Sequence, residues 1–126
     1  MLKIQNTLFD LGSNIAFDQK TKNLTIPYLT EEDVEIIENS IDAMEKKLPK
    51  LINFILPSGH STSSLCHIAR TVCRRAERSL VKLMRKEKVE EINIKYLNRL
   101  SDFLFVLSRY ILLLNKKEEV LWQKKP

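Results

Sequence analysis

Two glycines and four prolines in 126 residues leave this chain few places to turn. They stand beside long runs in which apolar residues return every three or four positions. Scarce turn residues together with helical periodicity argue for a few long helices and against a many-stranded sheet. The longest run, Ser61 to Lys86, reads as one helix whose Leu65, Ile68, Val72, Ala76, Leu80 and Leu83 form a stripe expected to be core. Ile94 to Leu114 reads as a second long helix. Its Leu97, Leu100, Leu104, Leu107, Ile111 and Leu114 make an apolar face broad enough to be buried against two neighbours.

The remaining elements follow from their boundary residues. Thr30 is a candidate N-cap, with Asp33 three residues on in a capping-box pattern, and Val34, Ile37, Ile41, Met44 and Leu48 supply the buried stripe behind it. Near the start, Leu2, Ile4, Leu8 and Leu11 have mostly helical spacing, and Gly12-Ser13 is expected to stop that helix. Phe17 to Leu29, with Asp18, Lys20, Asn23 and Pro27, shows no period and reads as a loop. Glu87 to Glu91 reads as a charged connector, and Lys116 to Pro126 as a loosely ordered tail that Trp122 could anchor. The expected fold class is all-α, an antiparallel helical bundle of four helices, with 1–126 as one domain.

Charge is localised. Thr30 to Lys47 carries seven acidic residues and two lysines, most simply a solvated face, whereas Thr62 to Lys86 carries seven Lys or Arg and one acid. The net charge of +5 invites a nucleic-acid reading. No helix-turn-helix wording, zinc-finger spacing or aromatic-interleaved stacking motif supports it, so no nucleic-acid partner is expected. Cys66 and Cys73 lie seven apart on the proposed helix, too far for a disulfide within one straight helix. With His60 and His67 they match no zinc spacing, so they read as small packing residues and no metal site is assigned. The first residues hold neither an apolar signal core nor an Arg-rich presequence, and no apolar run approaches membrane-spanning length. The expectation is a cytoplasmic protein with no membrane partner.

Within the basic helix, Arg70, Arg74, Glu77 and Arg78 fall at i, i+4, i+7 and i+8, which sets three guanidiniums and one carboxylate on one strip. Arginines so close repel unless something anionic lies on them, and a guanidinium fork matches phosphate oxygens. The other reading is an ordinary solvated basic face. Spacing alone makes Phe54 a core aromatic, and Asn98 and Asp102 polar side chains turned to solvent.

The string Ala69 to Arg78, ARTVCRRAER, resembles the signature helix of the ATP:cob(I)alamin adenosyltransferases of the propanediol-utilisation type. Leu48 to Gly59 (LPKLINFILPSG), Tyr96 to Tyr110 (YLNRLSDFLFVLSRY) and Ile4 to Ala16 (IQNTLFDLGSNIA) resemble three further segments of that family, in the right order over nearly the whole chain. The resemblance implies transfer of the 5′-deoxyadenosyl group of ATP to Co(I) of cobalamin, with release of triphosphate. It implies Mg2+ on the phosphates, a homotrimer with sites between subunits, and a cob(II)alamin reductase as a possible partner. Residue by residue, it gives Arg74 and Phe54 catalytic roles, Phe54 standing below the corrin ring to help displace the lower axial ligand. It gives Arg70, Arg74, Glu77, Arg78 and Asn98 binding roles, with Glu77 either ordering the guanidiniums or meeting the nucleotide.

Two departures from the family accompany these matches. Ser58-Gly59 stands where it usually reads Gly-Gly, and its TGDxG-type phosphate loop and first helix are not found in this sequence. The expectation is a chain truncated at its N-terminus relative to the family, starting inside the second of five helices. A non-catalytic helical assembly or corrinoid-binding module is the alternative reading.

Overall fold

The computed structural model describes residues 1–17 and 25–126. Four helices follow one another: α1 (Leu2–Ala16), α2 (Glu31–Glu45), α3 (Ser61–Met84) and α4 (Glu91–Leu114). Directions can be read from the cross-links. Ser63 of α3 meets Ser108 of α4, and Cys73 meets Leu97, so number rises on one helix as it falls on the other. Glu31 pairs with Lys95 and Lys47 lies over Tyr110, so α2 runs with α4. Asn14 of α1 accepts from Asn93, and Thr7 lies beside Tyr96, so α1 opposes α4. Directions therefore alternate along the chain, the up-down arrangement of an antiparallel bundle. Among the described residues no helix is long and apolar enough to cross a membrane.

α4 is the central element. It buries Tyr96, Leu97, Leu100, Phe103, Leu104, Val106 and Leu112, as well as the polar Asn93, Ser101, Ser108 and Arg109. It is thus covered by α3 on one side and by α1 and α2 on another, the two-sided burial that its broad apolar face predicts. The face ends differently, however: Leu112 is buried while Leu114 is exposed. α2 behaves as its pattern requires, with Val34, Ile37 and Ile41 buried and Met44 and Leu48 packed against the cluster. Its capping box forms, Thr30 N–H donating to Asp33 Oδ2 at 2.9 Å.

Four expectations about the elements are corrected. α1 does not stop at Gly12-Ser13 but runs on to Ala16. A mid-helix glycine costs about 1 kcal/mol, and the contacts beyond it outweigh that: Asn14 is bonded to both Pro27 O and Asn93, and Ile15 packs on the core. The last helix also begins earlier than expected, at Glu91 and not at Ile94, and α3 ends at Met84, so the connector is residues 85–90.

The larger correction concerns α3. Leu65, Ile68 and Val72 are 62%, 59% and 47% exposed, and Ala76 is exposed too. The buried face is Ser63, Cys66, His67, Cys73 and Leu80, so only Leu80 of the expected stripe is fully buried, with Leu83 partly so. The reason is distance. Small residues face each other along the α3–α4 seam, Ser63 and Cys73 against Ser108 and the backbone of Leu97, and they let two helices approach closely. Ser63 Oγ donates to Ser108 O at 2.9 Å and Cys73 Sγ lies 3.2 Å from Leu97 O. The greasier stripe is turned outward.

The tail is not loose. After α4, Lys116 adopts a left-handed φ of 54°. Lys116 N–H and Lys117 N–H return to Leu113 O and Leu112 O, a Schellman-type close that reverses the chain. Residues 119–122 then run back beside the segment before α3, with Ile55 and Leu121 in antiparallel register. Gly59, φ 108°, completes this corner, since a Cβ there would lie 3.1 Å from Leu112 Cδ2. Ser58 has no positive φ, so the change from Gly-Gly to Ser58-Gly59 carries no backbone cost. The expected loop over Phe17 to Leu29 falls largely on residues 18–24, including Asp18, Lys20 and Asn23, outside the described residues.

Candidate functional site

Helical spacing brings Arg70, Arg74, Glu77 and Arg78 together on α3, and the close α3–α4 seam sets them opposite Asn98, Ser101 and Asp102. These seven residues line one pocket of about 300 Å³. Arg75, one residue along and about 100° round the helix, does not line it.

The polar groups divide into committed and free. Asn98 Nδ2 donates to Glu77 Oε1 at 3.1 Å, while Asn98 Oδ1 accepts from Arg99 at 2.8 Å. Arg99 is ion-paired with Asp102 at 2.5 Å. Both carboxylates of the pocket are therefore engaged by α4 groups. Glu77 is thus bonded to Asn98 and paired with none of the three arginines, a partner that neither expected role named. None of the salt bridges among the described residues involves Arg70, Arg74 or Arg78. Three guanidiniums facing one small pocket without ion-pair partners repel, and a polyanion would relieve that repulsion. Arg70 is partly steadied by lying over the Phe105 ring, 5.1 Å from its centroid.

Behind this strip, His67 is buried, edge-on to Phe105, with no hydrogen-bond partner for Nε2. Burial, and then the charge of Arg70, hold its pKa below the usual histidine range. His67 is thus a neutral packing group. Cys66 and Cys73 are free and buried, and burial followed by the Glu77 carboxylate pushes the Cys73 thiol up to about 11. Neither is poised as a nucleophile. Among the described residues no group of three His, Cys, Asp or Glu is arranged to hold a metal ion.

Phe54 does not line the arginine pocket. Nor is it the core aromatic that spacing alone suggests: it is 76% exposed, in the loop before α3. Its ring stands edge-on to Trp122, centroids 6.0 Å apart. Trp122 N–H donates to Phe54 O at 2.8 Å and Asn53 Nδ2 to Trp122 O at 2.9 Å. Phe54 is thus an exposed phenylalanine held on both backbone and ring.

Sequence reasoning missed Arg109. Its guanidinium is buried, paired with Glu119 and donating to Pro49 O at 2.7 Å. The available signal was an arginine inside the apolar run Phe103 to Leu114, since a cation on a buried face demands partners. Those partners lie 10 and 60 residues away, and only the fold identifies them.

A family model for cobalamin adenosyltransferase matches residues 1–111. The chain is 46% identical over 111 residues to the corrinoid adenosyltransferase of Bacillus subtilis, covering 88% of this chain and 56% of that protein. It is 41% identical over 124 residues to the cobalamin adenosyltransferase of Cupriavidus metallidurans, covering 98% and 64%. The chain therefore spans between half and two thirds of these relatives' length. Among solved structures it is similar to a variant PduO-type ATP:corrinoid adenosyltransferase from Lactobacillus reuteri complexed with cobalamin and ATP. The TM-score is 0.90 at 34% identity, covering 97% of this chain and 67% of that one.

Proposed function

The chain belongs to the cobalamin adenosyltransferase family, and on that premise we propose that it transfers the 5′-deoxyadenosyl group of ATP to the cobalt of a reduced corrinoid. The observation that carries the reading is the pocket of three guanidiniums without ion-pair partners beside an asparagine held by Glu77. In this reaction the Co(I) electron pair attacks C5′ of ATP. The Co–C bond forms as the C5′–O bond breaks, and that bond's electrons leave on triphosphate. No proton moves in the step, so a site without an activated nucleophile or general base suits it.

What the protein supplies is position and charge. Arg74 and Arg78, with Arg70, meet the triphosphate and neutralise the negative charge that grows on the leaving oxygen. Asn98 is held by Glu77 with its amide fixed, ready to orient the nucleotide. Phe54 presents its exposed ring to the lower face of the corrin, where a hydrophobic group in place of an axial ligand favours reduction of Co(II). Magnesium, where present, rides on phosphate oxygens, and no step is routed through a protein-held ion.

Three finer readings belong to the same proposal. The outward stripe of Leu65, Ile68 and Val72 is an apolar face that association of copies would cover, in keeping with a homotrimer. A cob(II)alamin reductase would supply the electron that generates Co(I). Two free, buried thiols suit a reducing compartment such as the cytoplasm.

The test is to incubate the purified chain with chemically reduced cobalamin and ATP, following the corrinoid spectrum and triphosphate together. Adenosylcobalamin and triphosphate should appear in equal amounts. ATP consumed without a Co–C bond, or a chain that binds neither substrate, would refute the reading.

A further inference from the structure

We propose that Arg109 is a positioning residue for Phe54: its buried guanidinium fastens to α4 both the loop that carries Phe54 and the tail that braces it. The role of Phe54 towards the corrin rests on the function proposed above. The fastening does not.

The connections converge on one side chain. Arg109 is 6% exposed, and its NH2 donates to Pro49 O at 2.7 Å, fixing the start of the loop. Its Nε donates to Glu119 Oε1, in an ion pair whose side chains are 7% and 18% exposed, fixing the start of the tail. From these two points, loop and tail run side by side to Phe54. Leu56 N–H donates to Val120 O at 2.7 Å, and Trp122 N–H to Phe54 O at 2.8 Å. Asn53 closes the set, accepting from Phe54 N–H at 2.8 Å and donating to Trp122 O at 2.9 Å.

That pairing cannot hold itself. It lies at the surface, and two short extended segments are marginal in water without a packed partner. Each of its hydrogen bonds contributes little net stability, no more than the ordering of one residue's backbone costs. The buried guanidinium is the group that ties both segments to the rigid helix, and Lys116 in its left-handed turn aims the tail at it. Arg109 lies outside the arginine pocket, so it acts on the phenylalanine side alone.

Trp122 is the chain's one tryptophan, and its fluorescence reports the strap without any substrate. The experiment uses Arg109→Met and the double variant Arg109→Met with Glu119→Leu, which leaves no stranded carboxylate should the single variant fail to fold. Helix content is checked by circular dichroism. Both folded variants should show red-shifted Trp122 emission and easier quenching by acrylamide. The value of kcat should fall about a hundredfold, the order that a misplacement of about 1 Å costs, while KM for ATP stays within about twofold. Electron paramagnetic resonance of bound cob(II)alamin should keep the nitrogen coupling of the lower ligand in the variants and lose it in the wild type.

Unchanged Trp122 quenching in a folded variant would overturn the proposal, as would a rise in KM for ATP that matches the fall in kcat. A wild-type chain that makes no adenosylcobalamin would remove the proposed function. The quenching result would then decide the fastening alone, raised in support and unchanged against.

Discussion

Arg74 and Arg75 are neighbours in sequence, carry the same charge and are both exposed, yet only Arg74 lines the pocket shared with Asn98. Replacing either with alanine lowers the net charge from +5 to +4. Any long-range electrostatic effect on a polyanion is therefore nearly the same in the two variants. What differs is contact. A hydrogen bond to a charged group is worth about 1.5–3 kcal/mol, which at about 1.4 kcal/mol per decade weakens ATP binding by roughly ten- to a hundredfold for Arg74→Ala. Arg75 acts only across solvent, where screening at about 0.15 M salt has a length near 8 Å, so Arg75→Ala should change Kd by no more than about twofold.

The assay is calorimetric titration of both variants with ATP and with inorganic triphosphate, at two salt concentrations. The Arg74 effect should appear with both ligands and persist at high salt, because it is a contact. Unfolding temperatures should not separate the variants, since neither arginine has an ion-pair partner among the described residues. Equal losses for the two variants, or a loss at Arg74 that vanishes with salt, would refute the face assignment and leave a diffuse basic surface.

Three further outcomes are expected. Gly59→Ala forces a side chain into a φ of 108° and sets its Cβ 3.1 Å from Leu112 Cδ2; it should cost about 1–3 kcal/mol in denaturant unfolding, and no loss would show that the corner is free to relax. The Cys73 thiol stands at about 11 against an ordinary value near 9. Its raised pKa gives stability that is complete below pH 9 and lost as pH rises to about 11, with the buried Cys66 and Tyr96 shifted the same way. Urea midpoints should fall over that window, and less steeply in Cys73→Ala. Val72→Glu places a charge in the exposed apolar stripe of α3 without touching the core; sedimentation should show a smaller species at an unchanged melting temperature of the monomer, and an unchanged assembly would exclude this stripe from the subunit contact.

How much of this was legible in the sequence depended on how local the cause was. The helix of α2, its capping box and its buried Val34, Ile37 and Ile41 follow from residues within a few positions of one another, and four-residue spacing alone predicts that Arg70, Arg74 and Arg78 share a strip. The two buried cysteines as packing residues were also within reach. Which side of α3 faces the core was not. An amphipathic pattern ranks faces by apolarity, whereas the fold chose the face of Ser63, Cys66 and Cys73 because small side chains permit close approach to Ser108 and Leu97 of α4. Helix propensity likewise could not weigh Gly12 against the distant bonds of Asn14.

The candidate site divides in the same way. Its charge was written in the chain, because phosphate-matching groups on one helix are set by periodicity. The assembly around Phe54 was not, because its parts come from Pro49, Arg109, Glu119 and Trp122, brought together only when the tail turns back at Lys116. By itself the sequence determined four helices, the capping box of α2 and a strip of arginines, all of which are consequences of neighbours along the chain. The tertiary structure decided which face of α3 stays in solvent, what Glu77 holds and what holds Phe54, since each depends on groups whose proximity exists only after the helices have packed.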